Sequence, residues 1–196
     1  MTDTPNVTNT HNGHEFVDLG LPSGLLWATC NVGATSPEQA GLYFAWGETV
    51  GFSAEQVTSG ERTFDMASYK ASSISADLTL EQDAARANLG GNWRMPTNDE
   101  WQELIDNCDG VRTNDYNGTG VAGRVSISKV NVNSIFFPAT GYCWYSLVEK
   151  VGSESCYWSA SWDSSSRARE LNFNSRSQGM GGNYRCYGYS VRGVCE

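Results

Sequence analysis

Pro96-Thr97-Asn98-Asp99-Glu100-Trp101-Gln102-Glu103-Leu104-Ile105-Asp106-Asn107-Cys108 is the stretch that decides the fold class. Thr97 with Glu100 three residues later is a capping box. The threonine hydroxyl accepts from the N3 amide and the Glu100 carboxylate reaches back to the cap amide, so two otherwise orphaned donors are satisfied. Trp101, Leu104, Ile105 and Cys108 then fall at i, i+3, i+4 and i+7, one apolar face. The pattern predicts a helix with Trp101 and Cys108 turned into a core. Upstream, Leu78 to Asn88 carries Leu80, Ala84, Ala85 and Ala87 and stops at Gly90-Gly91, which predicts a second helix.

Around these helices the apolar period changes to two. Glu15-Phe16-Val17-Asp18-Leu19 and Leu25-Leu26-Trp27-Ala28-Thr29-Cys30-Asn31-Val32-Gly33 read as an opening β-hairpin. After the second helix come further short runs: Gly123 to Ser128, Ser134 to Pro138, Tyr157 to Ser161 and Glu170 to Asn174. Two helices with many short, mostly antiparallel strands predict an α+β fold. Residues 1–13, rich in Thr and Asn, read as a flexible leader and 14–196 as one domain. Gly51 to Ser75 reads as an insertion loop lying over the surface.

Composition narrows the function classes. The chain has 196 residues, 39% hydrophobic, 12% aromatic and only 18% charged, with 21 Gly. That profile suits one turn-rich domain with a real core. A net charge of −9 opposes binding to nucleic acid or an anionic membrane, and no apolar run is long enough to span a bilayer. Nucleic-acid partners and direct membrane insertion are therefore not expected. Six cysteines without any C-x-x-C pair argue against zinc and leave both disulfides and free buried thiols open. With His11 and His14 the only histidines, a serine–histidine triad has little to build on, and no metal or cofactor is expected.

The charge is uneven. From Tyr157 to Glu196, five Arg and no Lys face Asp163, Glu170 and Glu196, giving +2 and leaving −11 for residues 1–156. Between Trp162 and Tyr189, 22 of 28 residues are Ser, Arg, Gly, Asn, Tyr, Asp, Cys or Ala. Leu171 and Phe173 alternate there with Glu170, Asn172 and Asn174, which predicts one buried face and one polar face offered to solvent. The candidate ligand-binding residues are Trp162, Asp163, Ser165, Arg167, Arg169, Glu170, Asn172, Asn174, Arg176, Gln178, Met180, Asn183, Tyr184, Tyr187 and Tyr189. Tyrosines supply broad contacts at low entropic cost, arginines directional donors, and Ser, Asn and Gly adaptable hydrogen bonds. The local +2 favours an acidic ligand patch.

Several ordered blocks carry a resemblance. Gly13 to Gly24, Trp27 to Ala34, Tyr43-Phe44-Ala45-Trp46-Gly47-Glu48-Thr49, Trp93-Arg94-Met95-Pro96-Thr97, Ser134 to Ala139, Tyr157-Trp158-Ser159 and Ser190-Val191-Arg192 together resemble the Fibrobacter succinogenes major paralogous domain, a family of Bacteroidetes surface proteins. The resemblance spans nearly the whole chain. It implies a C-type-lectin-like fold related to formylglycine-generating-enzyme domains, and an extracellular, cell-surface or phage-particle location. Within the blocks, Trp27, Trp46, Trp93, Trp101 and Trp158 are expected in the core, with Arg94 and Arg192 tying loops together.

Residues 162–189 also resemble the variable segment of proteins diversified by retroelements, in which adenine randomisation of AAC and AAT codons yields chiefly Asn, Ser, Arg, Gly, Tyr, Asp, Thr, Ala, His and Cys. Trp162, Glu170, Gln178 and Met180 stand outside that set. The resemblance implies a non-enzymatic display domain binding a protein or glycan. A constant-specificity adhesin or structural domain is the alternative, and an oxidase built on Cys186 and Cys195 a third. The Glu-Pro-Asn, Gln-Pro-Asp and Trp-Asn-Asp motifs of calcium-dependent lectins are absent.

Overall fold

Thr10–His11 (β1), expected in a mobile leader, pairs antiparallel with His14–Asp18 (β2) in a computed structural model that describes residues 9–196. Asn12 and Gly13 link them with φ of 49° and 80°. An Asn-Gly pair with both φ positive is the preferred two-residue hairpin turn, because its twist matches that of the strands. The hairpin is tied down from outside: the Asn92 amide donates to His11 Nε2 at 3.1 Å and Trp93 Nε1 to the His11 carbonyl at 3.0 Å. The leader expectation is thus corrected for residues 10–13, while residues 1–8 lie outside the described residues.

The next strand, Leu26–Asn31 (β3), pairs antiparallel with β2, the hairpin read from the sequence. Tyr43–Phe44 (β4) follows. Within the segment expected as a bare loop, Ala54–Thr58 (α1) is helical, capped by a Ser53/Gln56 capping box, and Val57 and Phe64 are fully buried. Among the described residues there are therefore three α-helices, not two. Ser53-x-x-Gln56 is the local signal for it. Ala84–Leu89 (α2) stops at Gly90, and Asn98–Asn107 (α3) has the Thr97/Glu100 capping box. Arg94 grips the same Glu100 carboxylate at 2.7 and 2.6 Å, which fixes the start of α3.

Cys108–Thr113 (β5), Gly123–Ser128 (β6) and Ser134–Pro138 (β7) form an antiparallel sheet, and Tyr142–Trp144 (β8) with Leu147–Glu149 (β9) a ribbon. Ser155–Trp162 (β10), Arg167–Phe173 (β11) and Gln178–Tyr184 (β12) run antiparallel, followed by Tyr189–Ser190 (β13) and Arg192–Cys195 (β14). The largest sheet has the order β12-β11-β10-β13-β4, and a second the order β1-β2-β3-β14. Only β10 with β13 is parallel among these strand pairs. The fold is α+β.

Two large apolar clusters lie on the opposite faces of β10. Cys156, Trp158 and Ala160 enter one with Trp46, Trp93 and Tyr189; Tyr157 enters the other with Trp27, Trp101, Phe137, Leu171 and Phe173. All five expected core tryptophans are fully buried. Met180 seals the second cluster from β12, whose neighbour in packing is α3. The six cysteines are free thiols, five of them buried and Cys30 half-buried.

Candidate functional site

The β11–β12 hairpin carries most of the residues expected to bind, and its register sorts them. Arg167 faces Tyr184, Arg169 faces Gly182, Leu171 faces Met180 and Phe173 faces Gln178. Side chains on one face of a strand repeat every second residue, so this face begins exposed at Arg167, Arg169 and Tyr184 and ends buried at Leu171 and Phe173. Arg169 Nε sits 3.2 Å from Asp163, and the Arg167 guanidinium lies 5.2 Å from the Tyr184 ring centroid. These four residues form one patch with Ser165 on the adjoining loop, which is exposed.

The opposite face corrects the expectation of a fully solvated polar row. Glu170 is only 4% exposed, because Trp158 and Tyr189 are stacked behind it at 4.2 Å between ring centroids and Cys156 lies beside it. Burial pushes the Glu170 carboxyl up to about 7, against the opposing influence of Tyr189, Cys156 and Asn183. Asn172 is half-buried, 3.3 Å from Cys156 Sγ. Tyr189 is fully buried, a core ring and not a contact residue. Trp162 and Met180 are half-buried against the two core clusters.

At the far end of the hairpin Asn174 Oδ1 accepts from the amides of Arg176 and Ser177, which makes it a turn-former. Six residue steps at about 3.3 Å each put Asn174, Arg176 and Gln178 roughly 20 Å from Tyr184. One compact site cannot hold both ends. Asn183 is half-buried and its Oδ1 accepts from the Tyr184 amide.

The local +2 is only partly at the surface. The buried Arg185 donates to the carbonyls of Ile74, Ser72 and Ser165, Arg192 is fully buried, and Arg169 is paired with Asp163. Arg167 and Arg176 are the exposed arginines of the segment without a carboxylate partner. Arg167 stands at the start of β11 and Arg176 in the turn beyond its end, so the exposed positive charge is divided between the two ends of the hairpin.

Other aromatics meet the segment from β8 and its turn. Tyr187 is stacked on Tyr142 at 6.3 Å and 7° and on Trp144 at 5.6 Å and 28°, and Tyr184 lies 5.7 Å from Tyr187. Tyr145, at 5.6 Å from Trp144, extends the row. Trp144 and Tyr145 are 42% and 54% exposed. Tyr142 and Trp144 are not among the expected binding residues, although they alternate with the buried Cys143, a period-two signal for an outward aromatic face. Tyr145 occupies the turn at φ 52°.

Cys186 and Cys195 are buried in different clusters and burial pushes both thiols up, the opposite of what a nucleophilic thiolate needs. A cavity of about 380 Å³, lined by His14, Cys30, Asn31 and Thr35, shares no residue with the aromatic face. Comparison of the chain with protein-family models, with curated proteins and with solved structures finds no match in any of the three.

Glu170 gives a pH prediction. A carboxyl raised on folding holds its proton in the folded state after the unfolded chain has released it, so stability falls as pH rises from about 4.5 to about 7. Glu170→Gln removes that penalty. The variant is expected to match the native chain near pH 4.5 and to exceed it by up to about 3 kcal/mol at pH 8, as read from urea denaturation at both pH values. Equal stability of the two chains at pH 8 would show that Glu170 is solvated.

Proposed function

We propose that residues 162–189 are the ligand-binding face of a C-type-lectin-like display domain that resembles the variable proteins of diversity-generating retroelements. The domain acts by binding a protein or glycan at the cell surface or on a phage particle, not by catalysis. One observation carries this reading. Every exposed residue of the segment, Ser165, Ser166, Arg167, Arg169, Ser175, Arg176, Ser177 and Tyr184, belongs to the set that adenine randomisation produces. The six residues outside the set, Trp162, Glu170, Leu171, Phe173, Gln178 and Met180, are all buried or half-buried.

Trp, Leu, Phe and Met would be inside in most proteins. A buried glutamate is uncommon, and its place among the scaffold residues is what lends the correlation weight. The division suits a segment in which scaffold codons stay constant while exposed codons change.

Arg185 and Tyr189 favour a second reading for part of the segment. Both come from the same residue set, yet Arg185 ties three loop carbonyls together and Tyr189 is stacked on Trp158. Positions with such duties do not tolerate change, which supports a constant adhesin-like face at this end.

The coding DNA separates the two readings. Diversification requires a nearby reverse-transcriptase gene and a template copy differing from this segment only at adenines, with the differences falling on codons of exposed residues. Absence of both elements defeats it. In either case Tyr184→Ala and Arg169→Ala are each expected to lower stability by less than about 1 kcal/mol in thermal denaturation, since both side chains are exposed. A loss of 3 kcal/mol or more, the scale of a core truncation, would mark them as scaffold.

A further inference from the structure

The five-stranded sheet is closed at one edge and open at the other. At β4, Tyr43 exchanges main-chain bonds with Phe52 at 2.9 and 3.0 Å. At the opposite edge β12 pairs with β11 alone among the described residues. The register fixes which of its groups look outward. The Arg185 amide donates to the Ser166 carbonyl at 3.1 Å and the Asn174 amide to the Ser177 carbonyl at 2.9 Å, one bond at each end of the hairpin. Hydrogen-bonded pairs alternate along an antiparallel ladder, so those between are Ala168 with Asn183, Glu170 with Gly181 and Asn172 with Gly179. Gln178, Met180 and Gly182 therefore turn their N–H and C=O groups away from β11.

None of these outward groups has a main-chain partner among the described residues. Arg167 Nη1 touches the Gly182 carbonyl at 3.5 Å. The edge closes at Tyr184, whose amide donates to Asn183 Oδ1 at 2.9 Å and whose carbonyl accepts from the Tyr187 amide at 3.0 Å. The open stretch is thus about 13 Å long. Exposed edges are normally blunted by a lysine, a proline or a bulge. β12 reads Gln-Gly-Met-Gly-Gly-Asn-Tyr, with neither charge nor proline, and its seven pairs with β11 run without a shift in register. α3 meets β12 through the face that carries Met180, in one cluster with Leu171 and Phe173, and so leaves the edge uncovered.

Positive charge brackets the open stretch. Arg167 lies over Tyr184 at one end. Arg176, in the turn before Gln178, and Arg124 stand at the other, where a Cβ on Gly110 would lie 2.9 Å from both Arg124 Nη2 and Gln178 Oε1. None of the three has a carboxylate within 4 Å among the described residues. That charge decides against a second copy as occupant. Antiparallel self-pairing through the outward groups sets Met180 against Met180, which brings Arg176 of each chain to Tyr184 and Arg167 of the other. Like charges then meet at both ends.

The geometry points to strand addition: an extended segment of a protein partner, acidic at both ends, lies along β12 as a sixth strand of the sheet. The inference rests on the binding-face reading and names the partner for it. A compact ligand cannot reach both ends of the hairpin, whereas an extended segment of seven residues spans about 20 Å. Main-chain bonds to Gln178, Met180 and Gly182 hold it, and its terminal carboxylates meet Arg167 at one end and Arg176 with Arg124 at the other.

The test is titration of the full chain with acetyl-Asp-Thr-Val-Thr-Val-Thr-Asp-amide, followed by calorimetry and by amide hydrogen exchange in NMR spectra. Two control peptides carry N-methyl groups on the central amides or Asn in place of both Asp. The first peptide is expected to bind at least tenfold more tightly than the methylated one and about three- to tenfold more tightly than the Asn one. At saturation it slows exchange at Gln178, Met180 and Gly182 at least tenfold and leaves Gly179, Gly181 and Asn183, already in the ladder, unchanged. Gln178→Pro removes one outward donor at the first residue of the strand, where proline is tolerated, and weakens binding about threefold or more. Arg167→Ser with Arg176→Ser weakens it about tenfold.

Equal binding of the first peptide and its methylated form, binding of neither, or protection of residues elsewhere overturns the inference. Slowing of the same three amides with rising protein concentration and no peptide overturns it in favour of a second copy. A neutral oligosaccharide that binds where the peptide does not, and is lost in Tyr184→Ala, overturns it while leaving the binding face intact. Failure of peptide and oligosaccharide alike to respond to Arg167→Ser and Tyr184→Ala overturns the binding face as well.

Discussion

Arg192→Met is expected to destabilise the domain by roughly 3–5 kcal/mol, because it orphans a set of buried carbonyls at once. The guanidinium is fully buried. Nε donates to Asn31 Oδ1 at 3.0 Å, Nη1 to the carbonyls of Ala28 and Thr29 at 2.9 and 2.5 Å, and Nη2 to the Phe136 carbonyl at 2.9 Å. Its plane also lies over the Phe137 ring at 4.8 Å. One side chain thereby joins β14, β3 and β7, which no ladder joins directly as a set of three. Methionine fills much of the volume but donates nothing.

Arg192→Lys is expected to recover little, since a single ammonium cannot reach partners on two strands with the fork geometry of a guanidinium. Urea denaturation followed by circular dichroism measures the difference. A loss under about 1 kcal/mol for the methionine variant would mean that water replaces the guanidinium and the site is not dry.

Trp101→Ala is expected to cost a similar 3–5 kcal/mol, through a different mechanism. The indole is fully buried between Trp27 at 4.9 Å, Phe137 at 5.6 Å and Tyr157 at 5.9 Å, and Nε1 donates to the Trp158 carbonyl at 3.3 Å. Three large rings cannot collapse onto a methyl group, so a cavity remains and the Trp158 carbonyl loses its donor. Trp101→Phe keeps an aromatic ring in place and should cost distinctly less. The measurement is the same denaturation curve, and a cost below about 1.5 kcal/mol for the alanine variant would show that α3 is peripheral to the core.

These two positions show what was legible in the sequence. Trp101 was readable because capping box and helical spacing act within a dozen residues, and both appear as expected from Thr97 to Asn107; Cys108 is buried as expected, but as the first residue of β5 and not as the helix's last turn. Arg192 was readable as a loop tie because an arginine among small and apolar neighbours has few other uses. Strand positions such as Gly123–Ser128 and Ser134–Pro138 likewise follow from local alternation.

What escaped depends on contacts distant in sequence. Glu170 alternates with Leu171 and so reads as solvent-facing, yet β11 lies within a five-stranded sheet with a core cluster on each face, and both phases of the alternation are covered. Residues 10–13 read as a tail because the docking partners of His11, Asn92 and Trp93, lie some eighty residues on. The candidate face was legible at Arg167, Arg169 and Tyr184. Its aromatic wall was not, since Tyr142 and Trp144 reach Tyr187 only through the fold.

The central claim is that Arg167, Arg169 and Tyr184 belong to a face built for contact and contribute little to the scaffold. The direct test is a protein and glycan array probed with the native chain and with Arg167→Ser, Arg169→Ser and Tyr184→Ser combined, alongside thermal denaturation of both. The account predicts that ligands captured by the native chain are lost to the triple variant while its stability stays within about 1 kcal/mol. Undiminished capture of the same ligands by a variant of unchanged stability would contradict it.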